Sequence, residues 1–408
     1  MDEGETMKAI FDDLLVIDCA SFIAGPAAAT IMSDFGARVI KIEPPVIGDS
    51  YRQLMKVPGM PTAERDYFWT LDNRNKESLA LDLKHEDARA VLETLIRKAD
   101  VFITNFPGPI RDRLRLRAED VLPLNERIVY ASLTPYGEDG PEKDRTGYDA
   151  TAWWARSGMM DAVRATRETE PGFSVPGMGD HPTAVALFGA IMAALYRRER
   201  TGKGGSVSTS LLANGLWANG VWMQAALFDA DFSVRLQRGM RGALTELYMC
   251  RDGRWFMLAM LNYQREWPLL AEAIGKAEWL SDPRFETHEA RRANAAELVA
   301  ELEKVFIARD WPEWKELFQT AGITYGPIMQ SADHMACPQV AANGFLPEIA
   351  GTDGWQTVDS PIRIEGETKR QPRLAPGIGE HTRQVLASFG YDDGAIDRMI
   401  ENGAAATA

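Results

Sequence analysis

Short apolar runs alternate with helical patterns through the opening part of the chain, and that alternation limits the fold more than any other feature. Leu14–Asp18 (LLVID) has the length and composition of a buried strand. It leads into Ser21-Phe-Ile-Ala-Gly-Pro-Ala-Ala-Ala, where Pro26 suits a first helical turn and the alanines suit its continuation. Gly36 fits a helix stop, and Ala37–Glu43 (ARVIKIE) reads as a second strand, broken by Pro44-Pro45 and Gly48-Asp49. Leu79–Leu83, Val101–Thr104, Ile128–Leu133 and Ser206–Thr209 read as further strands, with a helical pattern at His85–Lys98.

Strands interleaved with helices predict an α/β fold with a large, doubly wound, mostly parallel Rossmann-like sheet. Ligands of such sheets bind beyond the carboxyl ends of the strands, here Ala20–Gly25, Pro44–Asp49 and Asn105–Pro109. The first of these lacks Gly-x-Gly-x-x-Gly, which argues against a nicotinamide dinucleotide.

At 408 residues the chain is too long for one compact core. Composition shifts after Asp229, where a hairpin signal, Arg251-Asp-Gly-Arg254, is followed by amphipathic helices. We expect residues 1–228 to form the N-terminal part of a large domain, 229–325 a smaller α+β domain, and 326–408 a return to the first, marked by Tyr325-Gly-Pro-Ile328. Leu211–Phe228, with Trp217 and Trp222, reads as a largely buried helix, and the final GAAATA as disordered.

The formal net charge of −14 disfavours nucleic acid and anionic membrane surfaces as partners. Three scattered cysteines, Cys19, Cys250 and Cys337, form neither a disulfide framework nor a metal motif, so a cytoplasmic location is expected and no metal site. The acidic start, MDEGETMKAIFDD, lacks a signal-peptide pattern. The longest apolar run, Ala184–Tyr196, is shorter than a membrane span.

Gly177-Met-Gly-Asp-His181 stands immediately before that run. Asp180 therefore falls where a glycine loop meets a helix start. One reading is an N-cap for a helix beginning near His181, with Pro182 in its first turn. The other is a reactive carboxylate, with Gly177 and Gly179 leaving room for a large substrate and helix-terminal N–H groups stabilising developing charge. His181 invites a dyad with Asp180, but no Ser or Cys elbow accompanies it. Arg111, Arg113 and Arg115, beside Lys84 and His85, read either as a solvated face or as a local cation patch for a phosphorylated ligand. The Trp153-Trp154 pair reads as core or as a pocket wall.

Together these segments resemble the class III CoA-transferases, the family of formyl-CoA transferase and carnitine CoA-transferase. The resemblance rests on eight segments in order: Ala24-Gly-Pro-Ala27; Gly36–Glu43 with Gly48-Asp49 and Arg52; Asn75-Lys76 and Ser78; Asn105-Phe106 with Arg113; Gly147-Tyr-Asp149; Gly179-Asp180; Thr201-Gly-Lys-Gly204; and Gly379-Glu-His-Thr382. Within the family, Phe22–Ala28, Tyr136–Asp144, Ala152-Trp-Trp-Ala-Arg156 and Pro176–His181 look most like the aryl-lactate and 2-hydroxyacid CoA-transferases.

The resemblance implies a large and a small domain, an interlocked homodimer, and Asp180 as nucleophile, with Gly179 and Asp149 in support. It places coenzyme A, a substrate rather than a tightly bound cofactor, on Phe22, Ile23, Ala24, Leu81, Asp82, Leu83, Lys84, Asn105, Phe106, Arg113 and Leu114. The implied reaction moves CoA between an acyl-CoA and a free carboxylic acid. The apolar residues around Phe22, Trp153 and Trp222 suit an aromatic or branched acyl group, the closer resemblance a 2-hydroxy one, and a dicarboxylate donor such as succinyl-CoA, common in the family, stays open. Pro44 stands where formyl-CoA transferase has an arginine, and that enzyme's glycine-rich loop in the small-domain region has no counterpart here, which argues against formyl and oxalyl substrates. The α-methylacyl-CoA racemases share the same segments and are the alternative reading. They carry a histidine where this chain has Tyr148, and a racemase needs an acid and a base on opposite faces of the α-carbon.

Overall fold

The computed structural model describes residues 9–166, 168–232 and 242–408. Most of the acidic start and the first part of the expected small domain, 233–241, lie outside them. The described residues fall into two compact units. Those of Met1–Val163, Pro171–Phe228 and Ala342–Ala408 form the first, and those of Arg164–Glu170 and Asp229–Ala341 the second.

The first unit is built on a seven-stranded sheet. Its strands are β1 (Leu15–Asp18), β2 (Arg38–Glu43), β3 (Glu77–Leu81), β4 (Val101–Thr104), β5 (Val129–Thr134), β6 (Gly205–Ser210) and β10 (Ala405–Ala406), in the order β10-β3-β2-β1-β4-β5-β6. All pairs are parallel except β10 with β3. Chain order reverses between β1, which pairs Val16 with Val39 on one side, and β4, whose Val101 pairs with Val16 on the other. That reversal opens a crevice at the carboxyl ends of β1 and β4.

Alternate residues of each strand face opposite layers, so continuous apolar runs are buried on both sides. Val16, Val39, Val101 and Ala131 pack with α1 (Ala24–Asp34) and α5 (Asp180–Thr201), through Ala28, Met32, Leu187 and Ile191. Ile17, Ile40, Phe102 and Tyr130 pack on the other face with α3 (Glu86–Lys98), through Val91 and Leu95. Two shorter helices complete the crevice side, α2 (Tyr67–Asn73) and α4 (Gly108–Leu114).

Two expectations for this unit are corrected. The final residues are ordered: Ala405 pairs with Leu81 and Ala406 with Ala80. The segment expected as one buried helix is two, α6 (Leu211–Ala218) and α7 (Gly220–Leu227), broken at Asn219, whose Nδ2 donates to the Ser157 carbonyl at 3.0 Å. Leu211 is buried, but both tryptophans are exposed, Trp217 at 86% and Trp222 at 56%.

The second unit holds a three-stranded antiparallel sheet of β7 (Leu247–Met249), β8 (Trp255–Leu258) and β9 (Tyr325–Pro327). Phe256 and Leu258 alternate inward from β8 onto α8 (Tyr263–Ala273), α9 (Ala295–Phe306) and α10 (Trp311–Ala321), where Trp267, Leu302 and Phe318 complete the core. Tyr325 is part of this sheet. The unit therefore runs on to Ala341 instead of ending at 325.

Candidate active site

The loops after β1, β4 and β5 enclose a cavity of about 660 Å³ in the first unit, at the carboxyl ends of the strands. Ile23, Leu54, Val57, Ile110, Leu133 and Leu211 supply apolar wall, and Tyr148, Asp149 and Asp180 are the ionisable side chains among its described lining residues.

The two loops at the strand-order reversal are tied to each other. Ser21 N–H donates to Asn105 Oδ1 at 2.8 Å, and Asn105 Nδ2 donates back to the Ser21 carbonyl at 2.7 Å. Asp49 fixes the first loop from behind. Its Oδ1 accepts the Ser21 hydroxyl at 2.6 Å and the N–H groups of Phe22 and Tyr51 at 3.2 and 3.0 Å. Lys41 Nζ stands 2.9 Å from Asp49 Oδ2 and also donates to the Ala20 carbonyl. Burial alone would raise the Asp49 pKa, but the Lys41 charge and these hydrogen bonds hold it below the ordinary value. The anchoring forces Phe22 to φ +62°, a left-handed conformation costing a non-glycine residue about 1–3 kcal/mol. In it, the Phe22 ring meets Tyr148 edge-on, centroids 5.5 Å apart.

α1 begins at this loop with no side-chain cap. Among the described residues, the N–H groups of Ala24 and Gly25 have no hydrogen-bond partner, at the positive end of the helix dipole.

Asp180 sits across the cavity as the first residue of α5, with Gly179 in the capping position and no side-chain cap bond. The capping reading of Asp180 therefore fails. Among the described residues its carboxylate accepts no hydrogen bond. The two glycines before it are required by the protein's own side chains. A Cβ on Gly179 would come 2.5 Å from Trp153 Cγ, and one on Gly177, at φ +80°, would come 2.8 Å from the His181 ring. They make room for Trp153 and His181, and Gly177 also lines the cavity.

Trp153 belongs to a π-helical turn, Asp149–Ala155. Asp149 begins that turn and is buried, its Oδ2 accepting the Gly179 N–H at 3.3 Å and its Oδ1 the Ala150 N–H at 2.7 Å. Asp149 thus braces the turn that presents Asp180 and adds negative charge beside it. Burial, then the Asp149 charge, push the Asp180 pKa up to about 8, with His181 opposing and Asp72 adding to the rise.

His181 bonds away from Asp180. Its Nδ1 is 3.1 Å from the Gly177 carbonyl oxygen and its Nε2 3.0 Å from Asp72 Oδ1. Asp72 Oδ2 in turn accepts the Tyr51 hydroxyl at 2.5 Å.

The structure brings Phe22, Ile23, Ala24, Asn105, Phe106, Asp149 and Asp180 to one cavity; Gly179 does not line it but is held to Asp149 through its N–H. Leu81, Asp82, Leu83, Lys84, Arg113 and Leu114 do not line it. Leu81 is buried in the sheet, paired with Ala405, and Leu114 is buried as the last residue of α4, while Lys84 and Arg113 are exposed. Arg111 leaves the expected cation face altogether. It is 3% exposed and makes a bidentate pair with Glu138 at 3.0 and 2.7 Å. Asp72 and Tyr51 escaped sequence reasoning, because only the packing of α2 brings them near α5. Lys41 and Glu43 left a signal, two fully buried charges alternating with isoleucines in β2. Among the described residues no His, Cys, Asp and Glu cluster is placed to hold a metal ion.

Residues 11–382 match the model of CoA-transferase family III. The chain is 28% identical over 396 residues to the (R)-2-hydroxy-4-methylpentanoate CoA-transferase of Clostridioides difficile, covering 96% of this chain and 98% of that one. It is 33% identical to the acetyl-CoA:oxalate CoA-transferase of Acetobacter aceti, covering 93% and 95%. Its fold matches a CaiB/BaiF family protein from Brucella suis with a TM-score of 0.84 at 28% identity, covering 94% of this chain and all of that one. The chain belongs to CoA-transferase family III and is a CoA-transferase.

Proposed function

We propose that CoA transfer in this enzyme runs through a covalent intermediate on Asp180. The observation that carries the reading is a carboxylate at the first turn of a helix, facing an apolar cavity, with no hydrogen bond to another described residue. Such a group is poorly solvated and so strongly nucleophilic once ionised. An Asp180 oxygen attacks the thioester carbonyl, the C–S bond breaks, and CoA leaves as thiolate, giving a mixed anhydride. The thiolate attacks Asp180 Cγ, releases the donor acid as carboxylate, and forms an aspartyl-CoA thioester. The acceptor carboxylate attacks that thioester and expels the thiolate. The thiolate then attacks the acceptor's acyl carbonyl, completing the new acyl-CoA and freeing Asp180. Each addition develops negative charge on oxygen. The N–H groups of Ala24 and Gly25 are suited to stabilise it.

In this reading Phe22, Ile23, Ala24, Asn105 and Phe106 hold the acyl-pantetheine arm. Lys84 and Arg113 meet the phosphates, with Asp82 and Leu83 beside them, and Leu81 and Leu114 contribute through the backbone. The apolar wall, with neither Lys nor Arg in it, suits an aromatic, branched or 2-hydroxy acyl group better than a dicarboxylate. The C. difficile relative is named for a branched 2-hydroxy acid. Tyr148 where a racemase has histidine supports transfer over racemisation.

We also propose a homodimer, supported by the exposed apolar face of Trp217, Val221 and Phe228, and a reducing cytoplasmic setting, supported by three unpaired cysteines. The test of the transfer reading is a mass-spectrometric screen of acyl-CoA donors against carboxylic acids with wild type and Asp180→Ala. New CoA esters with wild type alone support the reading, and equal yields from both contradict it.

A further inference from the structure

The proposed transfer steps leave the imidazole of His181 without a part, yet its ring is fixed from two sides. The Gly177 carbonyl oxygen can only accept, so Nδ1, 3.1 Å away, carries a hydrogen. Asp72 already accepts the Tyr51 hydroxyl on Oδ2, and its Oδ1 faces Nε2 at 3.0 Å. A ring donating from both nitrogens is an imidazolium. The turn is shaped around it, since Gly177 has no space for a Cβ beside the ring.

Among the described residues, the charged and titratable groups facing the ring are few. Asp72 comes from α2, the Tyr51 hydroxyl lies behind Asp72, and Asp180 precedes it on α5, with Asp149 acting on Asp180 from the π-helical turn. The elements packed on α5 add none. In α1 the sole ionisable side chain is Asp34, at the far end and paired with Arg74 at 2.7 Å, and β6 and α6 have no ionisable side chain. Tyr130 of β5 belongs to the other core face, where its hydroxyl donates to the Leu116 carbonyl.

We infer that His181 is a positioning residue for the transfer reaction: clamped between the Gly177 carbonyl and Asp72 with both ring nitrogens donating, it keeps a positive charge next to Asp180 and favours the ionised, attacking carboxylate. The inference rests on Asp180 being the nucleophile. The ring keeps 41% of its side chain in solvent, so its partial burial opposes charge only in part; the Asp72 hydrogen bond and the charges of Asp72 and Asp180 outweigh it and raise its pKa above the ordinary value. Of the groups acting on Asp180, burial, Asp149 and Asp72 all favour the neutral acid, and His181 alone favours the anion.

The test compares full-length wild type, His181→Gln and His181→Lys. It uses kcat/KM against pH with a donor–acceptor pair that wild type turns over, and hydroxylamine trapping of the wild-type intermediate. For His181→Gln, the limb in which activity rises with pH should move upward by about one pH unit, as loss of a neighbouring charge requires. His181→Lys should bring it back. A uniform loss at every pH, or an unmoved limb, overturns the inference. Should His181→Gln fail to fold, nitrogen NMR of His181 in wild type decides: both ring nitrogens protonated at pH 7 supports the inference, and a single neutral tautomer overturns it. An Asp180 adduct with an unmoved limb defeats the inference alone; no Asp180 adduct defeats the nucleophile and the inference together.

Discussion

Trp153 occupies the space that a side chain on Gly179 would need: a Cβ there would lie 2.5 Å from Trp153 Cγ and 2.6 Å from its Cβ. The indole sets how close the turn before Asp180 can come to the π-helical segment. Gly179→Ala should therefore cost about 1–3 kcal/mol of stability and push Asp180 out of place. Thermal unfolding and CoA-transfer assays of Gly179→Ala, with and without Trp153→Ala, check this. Restored stability in the double variant is the expected coupling, and additive losses would show the clash to be irrelevant.

Phe22 holds its left-handed backbone only because Asp49 and Asn105 tie the loop on both sides. Phe22→Gly removes the strain and also the ring against Tyr148. The variant should keep or gain about 1 kcal/mol in denaturant unfolding while its KM for acyl-CoA rises several-fold. Lower stability with an unchanged KM would mean that the loop is structural only.

Arg111 separates two accounts of the arginine cluster. As the buried partner of Glu138, its replacement by Ala should cost about 2–3 kcal/mol, less than a fully buried pair because Glu138 keeps part of its side chain in water. A phosphate contact would instead raise KM for acyl-CoA and leave stability intact. Chemical denaturation and steady-state kinetics on one sample tell the two apart.

Asp180 ionises at about 8 in the folded protein, against an ordinary value of 3.8. The folded state holds that proton more tightly, so the carboxyl's contribution to stability is full below the ordinary value and is lost as pH rises toward 8. Asp180→Asn cannot titrate and escapes that loss. Its Tm relative to wild type should rise between pH 4 and 8 and level off above. A pH-independent difference would place the carboxyl in an ordinary environment. The same ionisation predicts that wild-type kcat/KM increases with pH toward the alkaline side.

How much of this was legible depends on what each residue touches. LLVID and ARVIKIE announced β1 and β2 because strands buried on both faces are rich in Val, Ile and Leu, even where charges interrupt the run as in β2. The crevice followed, since chain order and strand ends define it. Ala405-Ala406 carry no β-branched signal, and only the open edge of β3 makes them a strand. Trp217 and Trp222 read as core because an apolar helix looks the same whether a core or a surface receives it. Asp180 was ambiguous for a local reason: an N-cap and a first helical residue differ by one position, and only the backbone tells them apart. His181 could not be interpreted from neighbours in sequence, because its partner Asp72 lies 109 residues away.

The most direct measurement is peptide mapping of the enzyme trapped during turnover with acyl-CoA and hydroxylamine. The account predicts a hydroxamate on Asp180, formed only when acyl-CoA is present and absent in Asp180→Asn. Turnover without modification of Asp180, or with the label on another residue, would contradict it.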